Sequence, residues 1–277
     1  MSTSELKIVV FITGYGPFAT VKVNPSCAIA LRVVEDLKRH ADVADVRYTE
    51  LDVSVKSVAE YFEKMESDIA EIAAEGGGSE VKILLCHLGV YKGTTGLLRV
   101  EVQGYNELFA SITDVDGRAL DHEPIRPEDG ALDTFKESWF GKEGSPQLKK
   151  LQSLIQQLNE NIAASWPHSM TGTATRSEVR AADSNRKEMI MPAFQPPSWV
   201  ISRDAGRYLC NFALYRALRL QEKNPGIVYG IFIHVVDPTC GKQEVEGGPI
   251  VVYNPTTMVQ SEQVKFLVRG LLTLMSI

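Results

Sequence analysis

With 277 residues, 44% of them hydrophobic and 23% charged, the chain has an ordinary globular balance, and its length suits one α/β domain carrying insertions. A formal net charge of −6 repels phosphate backbones and no Lys/Arg cluster offsets it locally, which argues against nucleic acid as a partner. No stretch approaches the roughly 20 apolar residues of a membrane span, and the run at 8–12 is too short for a signal core, so a cytoplasmic protein with no membrane partner is expected.

In chain order, residues 6–13 (LKIVVFIT) form a continuous apolar run ending in glycine, the pattern of a strand buried on both faces. The loop GYGPFATVKVNPS follows, and Pro25 and Ser26 open a helix carrying Ile29, Leu31, Val33, Val34 and Leu37. A second strand is predicted over 43–53. A helix over 55–74 has Val58, Phe62, Met65, Ile69 and Ile72 at helical spacing and stops at Gly76-Gly77-Gly78. Residues 81–88 (VKILLCHL) read as a third buried strand, and 93–113 as strands or extended loops. An amphipathic helix is predicted over 146–164. Residues 165–191, rich in Ser, Thr and Arg and without either period, read as an exposed insertion. A short strand at 199–202, a helix at 207–220, a strand at 227–234 and a closing helix at 261–274 complete the chain. Strands alternating with helices predict a mostly parallel sheet covered on both faces.

Ligands of such a sheet bind beyond the carboxyl ends of its strands. The strand ending near Thr13 brings the GYGPF loop to that edge, the strand ending near Leu88 brings 89–101, and 199–202 is expected to bring 204–210 there as well. Cys210 and His234 lie 24 residues apart, yet one helix down and one strand up return the chain to the same edge. A thiol near a helix N-terminus is favoured as thiolate, and a neighbouring imidazole favours it further and can protonate a leaving amine.

Each of these residues also has a plainer explanation. A cysteine among Leu209, Phe212 and Leu214 is more often core filling, and a histidine closing the apolar strand YGIFIHVV is more often a satisfied strand-end residue. Glu101 generically reads as a surface carboxylate. Cys86 and His87 are neighbours on a strand, point to opposite faces and cannot form a dyad. Cys240 reads as a loop thiol, and His40, His122 and His168 as surface residues. The cysteines and histidines show no metal-ligand spacing, so no metal and no cofactor are expected. GYGPF lacks the third glycine of a dinucleotide fingerprint, and no GK[ST] is present.

ITGYGPF followed by NPS resembles the opening of the pyroglutamyl-peptidase I family of cysteine peptidases. DAGRYLCN is similar to that family's nucleophile segment, GIFIHV to its histidine strand, and HLGVYKGTTGLLRVEVQGYN to its glutamate region, although the bacterial TPER sequence is absent. The resemblance is carried by residues 6–106 and 198–236. It implies a single-domain α/β/α sandwich with a mostly parallel twisted sheet, phosphorylase/hydrolase-like, spanning 1–277, with an insertion atypical of the family around 117–197. It further implies Cys210 as nucleophile, His234 as its base and acid, and Glu101 as the group orienting His234. Tyr15 and Phe18 would line a pyroglutamate pocket, Asn24 would support the first loop, Val90 would offer backbone hydrogen bonds to the lactam, and Tyr208 with Leu209 would close the pocket. The implied partners are peptides with an N-terminal pyroglutamate; monomer and homo-oligomer both stay open. Two other readings remain: a nucleoside-phosphorylase-like enzyme, whose phosphate would need Arg99, Arg203 or Arg207, and a binder that keeps the pocket without catalysis.

Overall fold

The computed structural model describes residues 6–19, 21–75, 80–91, 96–166, 193–194, 196–239 and 252–276. In chain order the elements are β1 (Lys7–Tyr15), α1 (Pro25–Leu37), β2 (Val43–Leu51), α2 (Val55–Glu75), β3 (Val81–Tyr91), β4 (Leu97–Glu101), β5 (Gln103–Tyr105), β6 (Leu108–Ala110), β7 (Leu120–Glu123), β8 (Phe135–Glu137), α3 (Pro146–Ser165), β9 (Ala193–Phe194), β10 (Ser198–Ser202), α4 (Leu209–Lys223), β11 (Val228–Val236), β12 (Val252–Tyr253) and α5 (Thr257–Ser276). The main sheet has six strands in the order β10-β4-β11-β3-β1-β2. Helices α1, α3 and α5 pack on one face and α2 with α4 on the other, giving a single-domain α/β/α sandwich, as expected.

The helix starts follow from their caps. Asn24 caps α1 by accepting from Ser26 N, with Pro25 in the first turn, and Ser145 caps α3 by accepting from Leu148 N at 3.1 Å ahead of Pro146. Helix α3 buries Leu148, Leu151, Ile155, Leu158 and Ile162 in the core shared with α1 and α5. Each such side chain contributes roughly 1.5–3 kcal/mol of burial free energy before the entropy of ordering it. Among the described residues no helix is long and apolar enough to cross a membrane.

Four strands, β2, β1, β3 and β11, run in one direction, and the sheet is mostly parallel. The other two correct the sequence reading. β4 is antiparallel to β11, and β10 is parallel to β4, so residues 198–202 run away from the carboxyl edge of β11 rather than toward it. The reason lies in the connection between β3, ending at Tyr91, and β4, beginning at Leu97. A parallel crossover needs a dozen or more residues, so this link must turn the chain back. The segment between Ser202 and Leu209 then climbs to the start of α4. The glycine run at 76–78, most of the polar stretch at 165–191, His168 and Cys240 fall outside the described residues.

Candidate active site

Gly14 ends the straight part of β1 where α1 crosses it. A Cβ there would stand 2.6 Å from Cys27 Cα, so only glycine lets the helix start so close to the strand. Asn24 then fastens the loop: its Nδ2 donates to Gly16 O at 3.0 Å, and its Oδ1 accepts from Ser26 N at 3.1 Å and Ser26 Oγ at 2.8 Å. Ser26 Oγ in turn accepts from Tyr15 N at 3.0 Å. Further along, Phe18 and Val21 exchange two backbone hydrogen bonds. These contacts tie the described part of the loop to β1 and α1 and set it as a wall.

That wall closes against the start of α4. Tyr15 is buried, and its hydroxyl donates to Leu209 O at 3.0 Å, which gives its polar tip a partner within the protein. Burial, with the Cys210 charge adding to it, holds the Tyr15 phenol far above its ordinary pKa, so it stays a donor. On the opposite side of α4, buried Asn211 accepts from Tyr105 N at 2.8 Å and donates to Tyr105 O and Glu107 O at 2.9 and 2.8 Å. The first turn of α4 is thus pinned from two directions. Its N-cap, Tyr208, supplies no side-chain acceptor, so the leading amides of the helix remain as donors beside Cys210.

Tyr15, Phe18, Val21, Asn24, Val53, Val90, Tyr208, Leu209 and Cys210 line one pocket at the carboxyl edge of the sheet. Every residue that the sequence reading assigned to substrate binding is among them, and Phe18 and Tyr208 meet ring to ring at 5.6 Å. Val21 and Val53 escaped that reading. Val53 sits two residues past the end of β2, on the edge where the topology collects its loops, and that position was the available signal. Apart from Cys210, none of the described lining residues carries a formal charge.

Behind the pocket, Cys210 stands over Gly89 of β3. A Cβ on Gly89 would come within 2.9 Å of Cys210 Sγ and 2.7 Å of the Phe232 ring, so the thiol occupies space that only glycine leaves free. His234 lies next to Gly89 across the β3–β11 pair and is 3% exposed. Its Nδ1 meets Glu101 Oε1 at 2.8 Å, and Glu101 is fully buried rather than at the surface. With Nδ1 engaged by Glu101, Nε2 is the nitrogen left for Cys210, which acts on the ring electrostatically. Burial alone would push the imidazole pKa down. The Cys210 sulfur and the Glu101 carboxylate outweigh burial and raise it to about 9. The structure therefore brings Cys210, His234 and Glu101 together, in the order in which a thiol, a proton carrier and an orienting carboxylate cooperate.

The other cysteines and histidines differ. Cys86 is enclosed in the α1/α5 core, and burial pushes its thiol up to about 12. His87 faces the other side of the sheet, bonds Thr13 Oγ1 at 2.8 Å, and is driven down to about 3 by burial, so it is neutral. Cys27 pairs with Tyr48 OH and Glu50 Oε2 at 2.9 and 3.0 Å, and burial followed by the Glu50 contact raises its pKa. Among the described residues no group of three His, Cys, Asp or Glu is arranged to hold a metal ion. Of the three arginines a phosphate site would need, Arg203 is paired with Glu137 at 3.0 Å and Arg207 with Glu107 and Asp204 at 3.0 and 2.8 Å.

No family model matches the chain, and no curated protein matches it in sequence. Solved structures do match in three dimensions. A pyrrolidone carboxyl peptidase from the keratin-degrading bacterium Fervidobacterium islandicum aligns at 20% identity and a TM-score of 0.60, covering 96% of this chain and 99% of its own. A mutant pyrrolidone carboxyl peptidase from the hyperthermophile Pyrococcus furiosus gives 20%, 0.60, 96% and 98%. The enzyme from Thermococcus litoralis gives 19%, 0.60, 96% and 93%. At such identity the likeness speaks for the fold, and it is the pyrrolidone carboxyl peptidase fold that this chain adopts.

Proposed function

We propose that this chain is a cysteine peptidase that removes an N-terminal pyroglutamyl residue from peptides. The observation that carries the reading is a single one: Cys210 opens into an uncharged, largely apolar pocket and has the buried His234–Glu101 pair beside it. Pyroglutamate is a neutral five-membered lactam without a free α-amine. Tyr15, Phe18, Tyr208 and Leu209 suit its ring, and the backbone at Val90 suits its polar edge. An ordinary N-terminus would bring an ammonium into the same space without a counter-charge, at a cost of several kcal/mol. Selection by exclusion follows, with no acidic residue needed in the pocket.

In the proposed reaction, the Cys210 thiolate attacks the carbonyl carbon between pyroglutamate and the next residue, forming a C–S bond. The leading amides of α4 donate to the resulting oxyanion; one such donor typically contributes roughly 10²–10³ in rate. His234 passes its Nε2 proton to the departing amine as the C–N bond breaks. Water, deprotonated by the now neutral His234, then cleaves the thioester and regenerates the thiolate–imidazolium pair. Glu101 keeps Nδ1 protonated and the ring in place throughout.

The pH dependence follows from the sign of the His234 shift. The proton needed by the leaving amine is present below the raised pKa and lost above it, so the alkaline limb of kcat/KM is expected near pH 9. An alkaline limb near 6.5, the ordinary histidine range, would contradict the ion-pair description. The proposed function itself is tested by mass-spectrometric product analysis after incubation with a pyroglutamyl peptide and its glutaminyl counterpart. Free pyroglutamate and a peptide shortened by one residue are expected from the first and no cleavage from the second. Equal cleavage of both, or of neither by folded, reduced protein, contradicts it.

The nucleoside-phosphorylase reading finds no support in the arginines, two of which are already neutralised by carboxylates. That leaves Arg99.

A further inference from the structure

Arg99 is the β4 residue directly opposite His234 in the antiparallel β4–β11 pair. Side chains at opposed positions of such a pair share one face of the sheet, with Cα atoms about 5 Å apart. The proposed pyroglutamate pocket lies over β1, β2 and β3, on one side of Cys210 and His234, and β4 lies on the other side. A peptide held with its lactam in the pocket and its scissile carbonyl at Cys210 must therefore send the residue after pyroglutamate across β11 toward β4.

The guanidinium carbon of Arg99 lies over the Tyr91 ring, 3.7 Å from its centre, and that ring in turn packs against His234 at 5.8 Å. Its Nε is buried without a hydrogen-bond partner, and among the described residues no carboxylate pairs with it. Arg203 and Arg207, the two other arginines weighed for a phosphate, each have an acidic partner within 3.0 Å, whereas Arg99 has none among the described residues. A guanidinium held against an aromatic face beside His234 and, among the described residues, without a carboxylate partner offers planar, charge-assisted recognition to a carboxylate.

We infer that Arg99, stacked on Tyr91, forms a leaving-side subsite that binds a carboxylate on the residue following pyroglutamate. The inference rests on the peptidase reading above. The carboxylate has two possible sources, the free C-terminus of a pyroglutamyl dipeptide and the side chain of a following Asp or Glu. Charge-assisted hydrogen bonds of this kind correspond to about ten- to a hundredfold in kcat/KM. Lysine would restore the charge but not the planar fork on Tyr91, so it should recover only part of the effect.

The test compares two substrate pairs in the full-length protein, each differing by one charge: pyroglutamyl-alanine against its amide, and pyroglutamyl-glutamic α-amide against pyroglutamyl-glutamine amide. The wild type is expected to prefer the charged member of at least one pair by about tenfold or more. The preferred pair identifies the source. In Arg99→Gln that ratio should fall to about one, and in Arg99→Lys it should lie between. Because the wild-type ratio alone carries the expectation, a variant that fails to fold does not shield it. Cleavage of the neutral amides with no charge preference in either pair overturns this inference and leaves the peptidase reading intact. No cleavage of any of the four substrates overturns both.

Discussion

Cys210→Ala is expected to abolish hydrolysis of pyroglutamyl amides, a fall of roughly 10⁶-fold as for other activated nucleophiles, while the protein folds and still binds a pyroglutamyl peptide. Cys210 lies at the first turn of α4 and is only part-buried, so losing its sulfur should cost about 1 kcal/mol of stability, the ordinary figure for a point substitution. The aromatic wall of Tyr15, Phe18 and Tyr208 does not depend on the thiol, so ligand affinity should persist. A second readout separates chemistry from structure. Cys210 is the leading influence raising the His234 pKa against burial. In the alanine variant that imidazole should therefore titrate lower, which an NMR titration would detect. Wild-type activity in Cys210→Ala would end the proposal, and an unmoved His234 would remove the thiolate–imidazolium pair from it.

Glu101→Gln should produce the next largest loss, about 10²–10⁴ in kcat, with less effect on KM. Glu101 is fully buried. One oxygen is bonded to His234 at 2.8 Å, and the other has no partner among the described residues. The Glu101 contact is one of the influences that raise the His234 pKa against burial. Glutamine keeps the volume and can still accept from Nδ1, but it withdraws the charge. Burial then dominates the imidazole and the alkaline limb moves below pH 9. A variant with unchanged kcat and an unchanged limb would show that Glu101 fills space and orients nothing.

Much of this arrangement was legible in the sequence, for identifiable reasons. β1, β3 and β11 are continuous apolar runs because helices cover both faces of the sheet, and such runs leave a plain trace. The return of Cys210 and His234 to one edge followed from counting one helix and one strand. The directions of β4 and β10 were harder to read. A five-residue strand such as LLRVE or SWVIS carries no mark of polarity, and only the short β3–β4 connection pointed to reversal. Glu101 resembled a surface carboxylate because its partner is 133 residues away, and no local pattern announces such a pair. Gly89 read as the end of a strand, whereas its function in the fold is to leave room for the Cys210 sulfur. Cys86 and His87 could be set aside from sequence alone, because strand alternation separates neighbours whatever the fold.

The most direct measurement is hydrolysis of a fluorogenic pyroglutamyl amide by reduced wild-type protein and by Cys210→Ala, with the corresponding prolyl amide as control. Cleavage by the wild type confined to the pyroglutamyl substrate, and absent in the variant, is the predicted result. Folded, reduced wild type that leaves the pyroglutamyl amide intact, or that cleaves the prolyl amide equally well, would contradict the account.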